Sequence, residues 1–331
     1  MRILVTGAAG FIGMHVCQLL LSRGDEVLGI DNLNDYYDPA LKNSRLSVLR
    51  NYSNFEFQRL DISDALSLNT SFRKYTPEAV INLAAQAGVR YSITRPEVYI
   101  NSNLVGFANI LEACRHHDIK HLLYASSSSV YGSNTKVPFA VGDRTENPVS
   151  LYAATKKSNE LMAHAYSHLF GIATTGIRYF TVYGPWGRPD MAPWLFTEAI
   201  LKNKEIDVFN HGKMRRDFTY VSDAAEATVA LLDAPPIIPS GTDSRTLFNI
   251  VNVGSDKPIE LLRFIELLEN SLGTDAKKRL LPMQQGDVVA TWADLDGLRD
   301  LIPYQPKVSI EAGIAKFVAW YQSHKGLNIS N

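Results

Sequence analysis

Cysteine is scarce in this sequence, with only Cys17 and Cys114 among 331 residues. Two cysteines, each within an apolar helical pattern, exclude the disulfide framework of a small secreted domain and are typical of buried thiols in a reducing compartment. A basic leader before a cleavable apolar stretch is also missing, and no apolar run is long enough to cross a bilayer. We therefore expect a cytoplasmic protein with no membrane partner.

An excess of either charge is also missing, because 33 Lys and Arg residues face 34 Asp and Glu residues, for a formal net charge of -1. Such a protein lacks the long-range attraction to phosphate backbones that nucleic-acid binding needs, so no nucleic-acid partner is expected. Hydrophobic residues make up 46% and charged residues 20%, which excludes disorder and fibrous repeats. The composition indicates a compact enzyme.

Short apolar runs alternate with helical patterns along the first part of the chain. The runs predicted as strands are 3–5, 26–30, 55–60, 79–83, 121–125 and 172–179. The clearest helical patterns are 101–114 and 152–170, and Gly24 is the predicted stop of a first helix. Strands that alternate with helices predict an α/β fold with a doubly wound, mostly parallel sheet of the Rossmann type.

The pattern changes after about residue 181, where three prolines fall in one loop and a short helix is predicted at 194–201. We expect a cofactor-binding domain at 1–180 and a smaller α/β substrate-binding domain at 181–331. Parts of 219–253 are regular enough to rejoin the first domain, so the boundary is expected to be interleaved.

Gly7, Gly10 and Gly13 lie between the first strand and the first helix, the context in which a glycine fingerprint indicates a dinucleotide site. The first glycine allows the tight turn, the second lets the backbone approach a pyrophosphate, and the third permits close helix packing. Phe11 and Ile12 complete the predicted loop. The Gly-x-x-Gly-x-x-Gly spacing is one residue longer than the common fingerprint and indicates the short-chain dehydrogenase variant.

Asp31 ends the second strand, where a carboxylate accepts hydrogen bonds from the adenosine ribose and repels a 2'-phosphate. Because Asn32 rather than an arginine follows it, NAD is favoured over NADP. The further residues predicted to contact NAD are Asp61, Ile62, Leu83, Ala84, Ala85 and Tyr179. Acids and alanines are common at strand ends, so each of these signals is weak alone.

Tyr152 and Lys156 are spaced i, i+4 at the start of a helix, which places their Cβ atoms about 6 Å apart on one face. A neighbouring ammonium and a nicotinium charge would favour the phenolate, and the lysine could also bind the nicotinamide ribose. A Tyr-x-x-x-Lys pattern alone is often a surface pair. Serines 126–129, predicted directly after the fifth strand, favour a catalytic site, because ligands of open α/β sheets bind at this edge. No metal site is predicted.

With these residues, the whole chain resembles the extended short-chain dehydrogenase/reductase family of nucleotide-sugar enzymes. The segments that carry the resemblance are 6–13, 126–132, 152–156 and 216–221. Within the family it is most similar to the UDP-glucuronate 4-epimerases, through DNLNDYYD at 31–38, LAAQAGVR at 83–90 and RYFTVYGPWGRPDM at 178–191.

The resemblance implies an NAD-dependent interconversion of UDP-glucuronate and UDP-galacturonate. In that reaction Tyr152 takes the proton of the sugar 4-hydroxyl, Ser127 bonds the same oxygen, and C4 gives hydride to NAD. The 4-ketone then turns over and receives the hydride on its other face, with no net redox change. Helices 101–114 and 152–170 pair across a homodimer in the family.

A carboxylated sugar creates a hazard, because its 4-keto form is a β-keto acid that loses carbon dioxide readily. Similar decarboxylases and dehydratases carry an acid just before Val-Tyr-Gly, where this chain has Ser128 and Ser129. These hydroxyls could instead hold the carboxylate, as could Thr181. Arg188 is the expected cationic partner of that group, although a solvated loop arginine is the alternative.

For the uridine diphosphate, the resemblance implies Arg216 as a phosphate ligand, Phe209 as a wall for the uracil and Asp287 as a ribose contact. Galactose-type epimerases have an arginine where this chain has Gln284. The closest rival functions are a UDP-glucuronate decarboxylase and a neutral UDP-hexose 4-epimerase. A non-catalytic NAD-binding sensor is a third reading, but it predicts a broken Tyr/Lys pair.

Overall fold

The computed structural model describes residues 1–237, 247–283 and 288–327. Its largest sheet has seven parallel strands. Their order across the sheet is β10 (Phe248–Val253), β6 (Thr174–Tyr179), β5 (His121–Ser127), β4 (Ala79–Asn82), β1 (Arg2–Thr6), β2 (Glu26–Asp31) and β3 (Phe55–Arg59). The predicted mostly parallel, doubly wound sheet is therefore confirmed.

Strand β1 shows why these runs become central strands, since Ile3, Leu4 and Val5 are fully buried. Ile3 and Val5 face one apolar core and Leu4 faces the other, as expected for a sheet covered on both sides. The helices on the first face are α1 (Phe11–Ser22), α2 (Pro39–Leu49) and α9 (Val221–Leu232). Those on the second face are α3 (Ala65–Tyr75), α6 (Gly106–His116) and α7 (Leu151–Phe170). Gly24 follows α1 with a φ of 92°, which agrees with its prediction as a helix stop.

The predicted helix at 101–114 differs in its first part, because Ile100–Val105 is wound as a π-helix before α6 begins. Two short helices, α4 (Tyr91–Thr94) and α5 (Pro96–Tyr99), precede it. The wide turn accompanies the inward placement of Asn103, whose amide donates to the Thr155 hydroxyl at 3.0 Å and to the Gln86 carbonyl at 3.0 Å. Asn103 thus joins α7 to the loop after β4.

The second region contains two small sheets beside the carboxyl end of the large one. One consists of β7 (Thr181–Tyr183), β9 (Arg215–Tyr220) and β11 (Pro258–Glu260), and the other of β8 (Glu205–Val208) and β12 (Lys277–Leu280). Its helices are α8 (Ala192–Leu201), α10 (Leu261–Leu272), α11 (Asp296–Arg299) and α12 (Ile310–His324). Phe218 and Phe264 stack at 4.4 Å in its core. Across the described ranges, none of the helices combines the length and apolar character needed to cross a membrane.

Late segments of the chain return to the large sheet. Strand β10 pairs with β6 as an outer strand, and α9 packs with α1 in the same apolar core. The division into domains at residue 180 stays a prediction. Residues 238–246, within the segment 219–253 that is expected to rejoin the first domain, lie outside the described residues.

Candidate active site

A cleft of about 1170 Å³ opens at the carboxyl ends of the large sheet, beside the point between β1 and β4 where the strand order reverses. Almost all of the predicted site residues line it. They are Gly7, Gly10, Phe11, Ile12, Gly13, Asp31, Asn32, Asp61, Ile62, Leu83, Ala84, Ala85, Ser127, Ser128, Ser129, Tyr152, Lys156, Tyr179, Thr181, Arg188, Phe209 and Arg216. Asp287, the remaining one, and Gln284 lie outside the described residues.

The glycine-rich loop leaves no room for side chains. A Cβ at Gly13 would lie 2.1 Å from the Gly7 carbonyl oxygen, and one at Gly10 would lie 2.8 Å from the same atom. Helix α1 begins directly after Gly10, and its amino terminus, which lines the cleft, has no side-chain cap. A tight backbone cradle at a helix amino terminus fits a pyrophosphate.

Asp31 lines the cleft at the end of β2 and is 8% exposed. Its carboxylate accepts from the Leu33 N–H at 2.9 Å and the Ala9 N–H at 3.2 Å. Burial raises the pKa of Asp31, while Lys42 and these two N–H groups act in the opposite direction. This carboxylate at the end of β2 is placed to accept from ribose hydroxyls, which fits NAD.

Asp61 lies beside it after β3. Burial acts to raise the pKa of Asp61, but hydrogen bonds from Asn32 and Ser63 outweigh it and hold the pKa below its usual value. The Asn32 amide donates to Asp61 at 2.8 Å. The two residues that were predicted separately therefore form one polar edge of the cleft.

The catalytic candidates meet in the same cleft, where β5 ends and α7 begins. Ser150 caps α7 by accepting from the Ala153 N–H at 3.1 Å, and this fixes the start of the helix on which Tyr152 and Lys156 lie. Burial raises the pKa of Tyr152, whereas a hydrogen bond with Ser127 and the charge of Arg188 lower it. Arg188 was not expected to act on the phenol.

Lys156 is 2% exposed and donates to the Ala125 carbonyl on β5 at 2.9 Å. Burial lowers the pKa of Lys156 to about 8. The ammonium is therefore anchored to the sheet, with its remaining N–H groups available to a ligand.

The serines differ in part from the prediction. Ser126 and Ser127 are the last residues of β5 rather than loop residues, and Ser128–Tyr131 forms a 3-10 turn. The Ser126 hydroxyl donates to Glu160 at 2.7 Å, and Glu160 forms a buried ion pair with Arg178. The hydroxyls of Ser127 and Ser129 are not engaged with this ion pair and lie 3.1 Å apart.

Arg188 lies in the loop after β7 and is paired with Asp190. Its Nε donates to Oδ1 at 3.0 Å and its Nη2 to Oδ2 at 2.5 Å, while the Tyr36 hydroxyl donates to the same carboxylate at 3.0 Å. Burial and the Asp190 charge raise the pKa of Tyr36 to about 12, so this phenol stays a donor at neutral pH. The guanidinium is thus held in a fixed plane inside the cleft, which does not fit a solvated loop arginine.

Cationic and aromatic side chains line the end of the cleft that lies opposite Asp31. Phe209 lies below the Arg90 guanidinium, with 5.3 Å between the ring centroid and the Arg90 Cζ atom. The Arg216 guanidinium donates to the Arg215 carbonyl at 3.0 Å, and Arg279 pairs with Asp207. An aromatic wall beside arginines fits a nucleotide diphosphate.

Sequence reasoning missed Tyr36, Lys42, Arg90 and Asp190, all of which line the cleft. Three of them lie within segments that carried the family resemblance, so those segments contained the only available signal. Lys42 lies on α2, a helix that was not predicted because polar and apolar residues are mixed along it. In the described ranges, no cluster of His, Cys, Asp and Glu could hold a metal ion.

Comparison with known proteins agrees with this geometry. Residues 3–254 match the family model described as the NAD dependent epimerase/dehydratase family. UDP-glucuronate 4-epimerase 4 of Arabidopsis thaliana is 46% identical over 330 residues, which covers 97% of this chain and 75% of the relative.

Two solved structures are similar over almost the whole chain. UDP-glucuronic acid 4-epimerase of Bacillus cereus, in complex with UDP-glucuronic acid and NAD, superposes with a TM-score of 0.89 at 35% identity, covering 98% of this chain and 100% of that one. UDP-glucose 4-epimerase of Thermotoga maritima with UDP-glucose has a TM-score of 0.87 at 29% identity, with the same coverage.

Proposed function

Because the chain belongs to the NAD-dependent epimerase/dehydratase family, we propose that it is a UDP-glucuronate 4-epimerase, which interconverts UDP-glucuronate and UDP-galacturonate. The observation that carries this proposal is the juxtaposition in one cleft of Tyr152 and Lys156 with the Arg188 guanidinium. The pair serves oxidation at a hydroxyl-bearing carbon, and the guanidinium serves a substrate that bears a carboxylate.

NAD, when bound, accepts a hydride from C4 of the sugar and returns it to the other face of the same carbon. Tyr152 takes the proton of the 4-hydroxyl and later gives it back, so it needs the phenolate form at the start. The hydrogen bond with Ser127 and the Arg188 charge both favour that form. The Lys156 ammonium, anchored to the Ala125 carbonyl, would bind the nicotinamide ribose of NAD.

The carboxylate of the sugar is assigned to the Arg188 guanidinium. The Nε and Nη2 of Arg188 bind Asp190, and among the described residues Nη1 has no hydrogen-bond partner, so we assign it to the sugar carboxylate. Ser128, Ser129 and Thr181 add hydroxyl donors along the same wall. Residues 128 and 129 are serines, so this turn offers the 4-keto intermediate no carboxyl side chain as a proton donor. This favours epimerisation over decarboxylation.

The nucleotide is assigned to the end of the cleft lined by Phe209 and Arg216, and the adenosine of NAD to the Asp31 end. Fitting both ligands into one continuous cleft brings the sugar and the nicotinamide together near Tyr152.

The experiment is an assay with UDP-glucuronate as the only added substrate. We expect UDP-galacturonate to form without added reductant and without release of carbon dioxide. Carbon dioxide release would favour the decarboxylase, and faster turnover of UDP-glucose would favour the neutral-sugar epimerase. Absence of any turnover with NAD bound would favour a sensor.

We also propose a homodimer and a cytoplasmic location. Leu161 and Leu169 are exposed on α7, and Val105 is exposed just before α6, so these helices offer apolar surface to a second copy. The mass in solution tests the dimer, and a monomer mass would contradict it. The two free cysteines, Cys17 and Cys114, are both buried, which is typical of a reducing compartment.

A further inference from the structure

Arg45 on α2 is fully buried, although it does not line the cleft. Its Nη2 donates to the Trp186 carbonyl at 2.6 Å and to the Gly187 carbonyl at 3.3 Å, and its Nε donates to the Trp186 carbonyl at 3.2 Å. On the other side, Nη1 donates to the Ala9 carbonyl at 3.0 Å and to the Tyr37 hydroxyl at 2.6 Å. One guanidinium therefore joins the glycine-rich loop to the loop that precedes Arg188.

The choice of partners is unusual for a buried cation. Buried arginines are generally paired with a carboxylate, because an uncompensated charge is costly in the interior. Within the described ranges, however, the hydrogen bonds of Arg45 end on uncharged oxygens, and Asp31 acts on it only through its charge. What these bonds fix is the position of backbone carbonyls, a role that needs the fork of donors on a guanidinium.

A second side chain holds the same loop from the same side. The His15 Nε2, on α1, lies 3.0 Å from the Pro185 carbonyl. Burial lowers the pKa of His15 to about 4, so the ring is uncharged at neutral pH and the nitrogen that faces the carbonyl carries the proton. The carbonyls of 185, 186 and 187 are thus all held from the helices that flank the glycine-rich loop.

The loop needs such support. Trp186 has a φ of 64°, which a bulky side chain adopts only when its surroundings impose it. The next residue after Gly187 is Arg188, so a shift of these carbonyls would move the guanidinium within the cleft.

We propose that Arg45 is a positioning residue for carboxylate recognition, which sets the place of Arg188 by holding the carbonyls of Trp186 and Gly187. The inference rests on the proposed function, because it requires a carboxylated sugar for Arg188 to bind. Arg45 itself does not line the cleft. Its effect is transmitted through the backbone of the loop.

The test measures binding in a Tyr152→Phe background, so that turnover does not interfere. Dissociation constants are measured by calorimetry for UDP-glucuronate, UDP-glucose and UDP in the parent, Arg45→Gln and Arg45→Lys. Arg50→Gln is the matched control, because Arg50 lies next to the end of the same helix, is exposed and contacts the Phe57 ring instead of the loop.

We expect Arg45→Gln to reduce the preference for UDP-glucuronate over UDP-glucose about tenfold, as for one lost charge-assisted hydrogen bond. Arg45→Lys should reduce it less, and the affinity for UDP should stay unchanged in both variants, as should all three affinities in Arg50→Gln. In an Arg188→Gln background, substitution of Arg45 should no longer change the preference.

Each of three results would overturn the inference. They are an unchanged preference in both Arg45 variants, an equal loss of affinity for all three ligands, and additive losses with Arg188→Gln. If Arg45→Gln does not fold, the preference must still fall in Arg45→Lys. A parent that binds UDP-glucose as tightly as UDP-glucuronate would instead reject the proposed function, and this inference with it.

Discussion

Arg188 meets the carboxylate of Asp190 through two parallel hydrogen bonds, from Nε at 3.0 Å and from Nη2 at 2.5 Å. The pair fixes the guanidinium plane, and within the described ranges Nη1 makes no hydrogen bond. Asp190 therefore orients the cation without consuming it.

Replacing Asp190 with Asn should lower kcat/KM for UDP-glucuronate about tenfold, because one charge-assisted bond and the fixed plane are lost. Tyr36→Phe removes only the third hydrogen bond to this carboxylate and should have a smaller effect. Steady-state kinetics of both variants test the order, and an Asp190→Asn enzyme with the wild-type kcat/KM would contradict it.

Replacing Tyr152 with Phe should lower turnover about 10²–10⁴-fold, which is the usual contribution of a general base, while NAD stays bound. The ring of Tyr152 contacts Tyr99 edge-on, with 6.2 Å between the centroids, and a phenylalanine ring preserves that contact. The measurements are product formation and the NAD content of the purified protein. Retained activity would remove Tyr152 from its proposed role.

An acid introduced before Val-Tyr-Gly should divert the reaction. We expect Ser129→Asp to release carbon dioxide from UDP-glucuronate, because the keto intermediate then meets a side-chain proton donor. Ser129→Ala is the control, since it also removes the hydroxyl that lies 3.1 Å from that of Ser127 but adds no acid. The measurement is the amount of carbon dioxide captured from each variant. Equal amounts from both variants would exclude a specific effect of the acid.

Gly13→Ala should destabilise the protein by about 2 kcal/mol or more and deplete it of NAD, because the new Cβ would lie 2.1 Å from the Gly7 carbonyl oxygen. Gly297→Ala is the matched control, since a Cβ there meets nothing within 4 Å. Urea denaturation and the bound NAD content give the comparison. An unaltered Gly13→Ala protein would mean that the loop has more room than the geometry allows.

The stability of the protein should fall as the pH falls below 6.5. Burial lowers the pKa of His121 to about 4, so between pH 6.5 and 4 the unfolded chain binds a proton that the folded protein does not. The loss attributable to this residue approaches about 3 kcal/mol at the acid end of the window. His121→Gln should show a shallower pH dependence in denaturant unfolding, and an unchanged pH dependence in this variant would contradict the prediction.

The sequence predicted the parts of the fold and site whose signals are local. Strands β1 and β5 contain the apolar runs 3–5 and 122–125. The spacing of Gly7, Gly10 and Gly13 is that of a single turn, and the spacing of Tyr152 and Lys156 is that of one helix face. Helix α2 escaped prediction because two of its buried residues are Lys42 and Arg45, which break the apolar periodicity.

The contacts that sequence could not supply join residues far apart in the chain. Tyr36 and Asp190 are 154 positions apart, and Arg45 and Trp186 are 141 apart. Nothing in either local pattern favours such a pairing, since it depends on how α2 and the loop after β7 pack together. The placement of Ser126 and Ser127 inside β5 likewise follows from pairing with β6, where Ser127 lies opposite Tyr179.

The pairing of β10 with β6, from Phe248 opposite Thr174 to Val253 opposite Tyr179, has a consequence for synthesis of the chain. At about 5–20 residues per second, β10 leaves the ribosome several seconds after β6. During that interval the outer edge of β6 presents unpaired backbone N–H and C=O groups, a surface on which strands of other nascent chains can add. Translation that pauses between these two strands should therefore favour aggregation, whereas a pause after residue 253 should not.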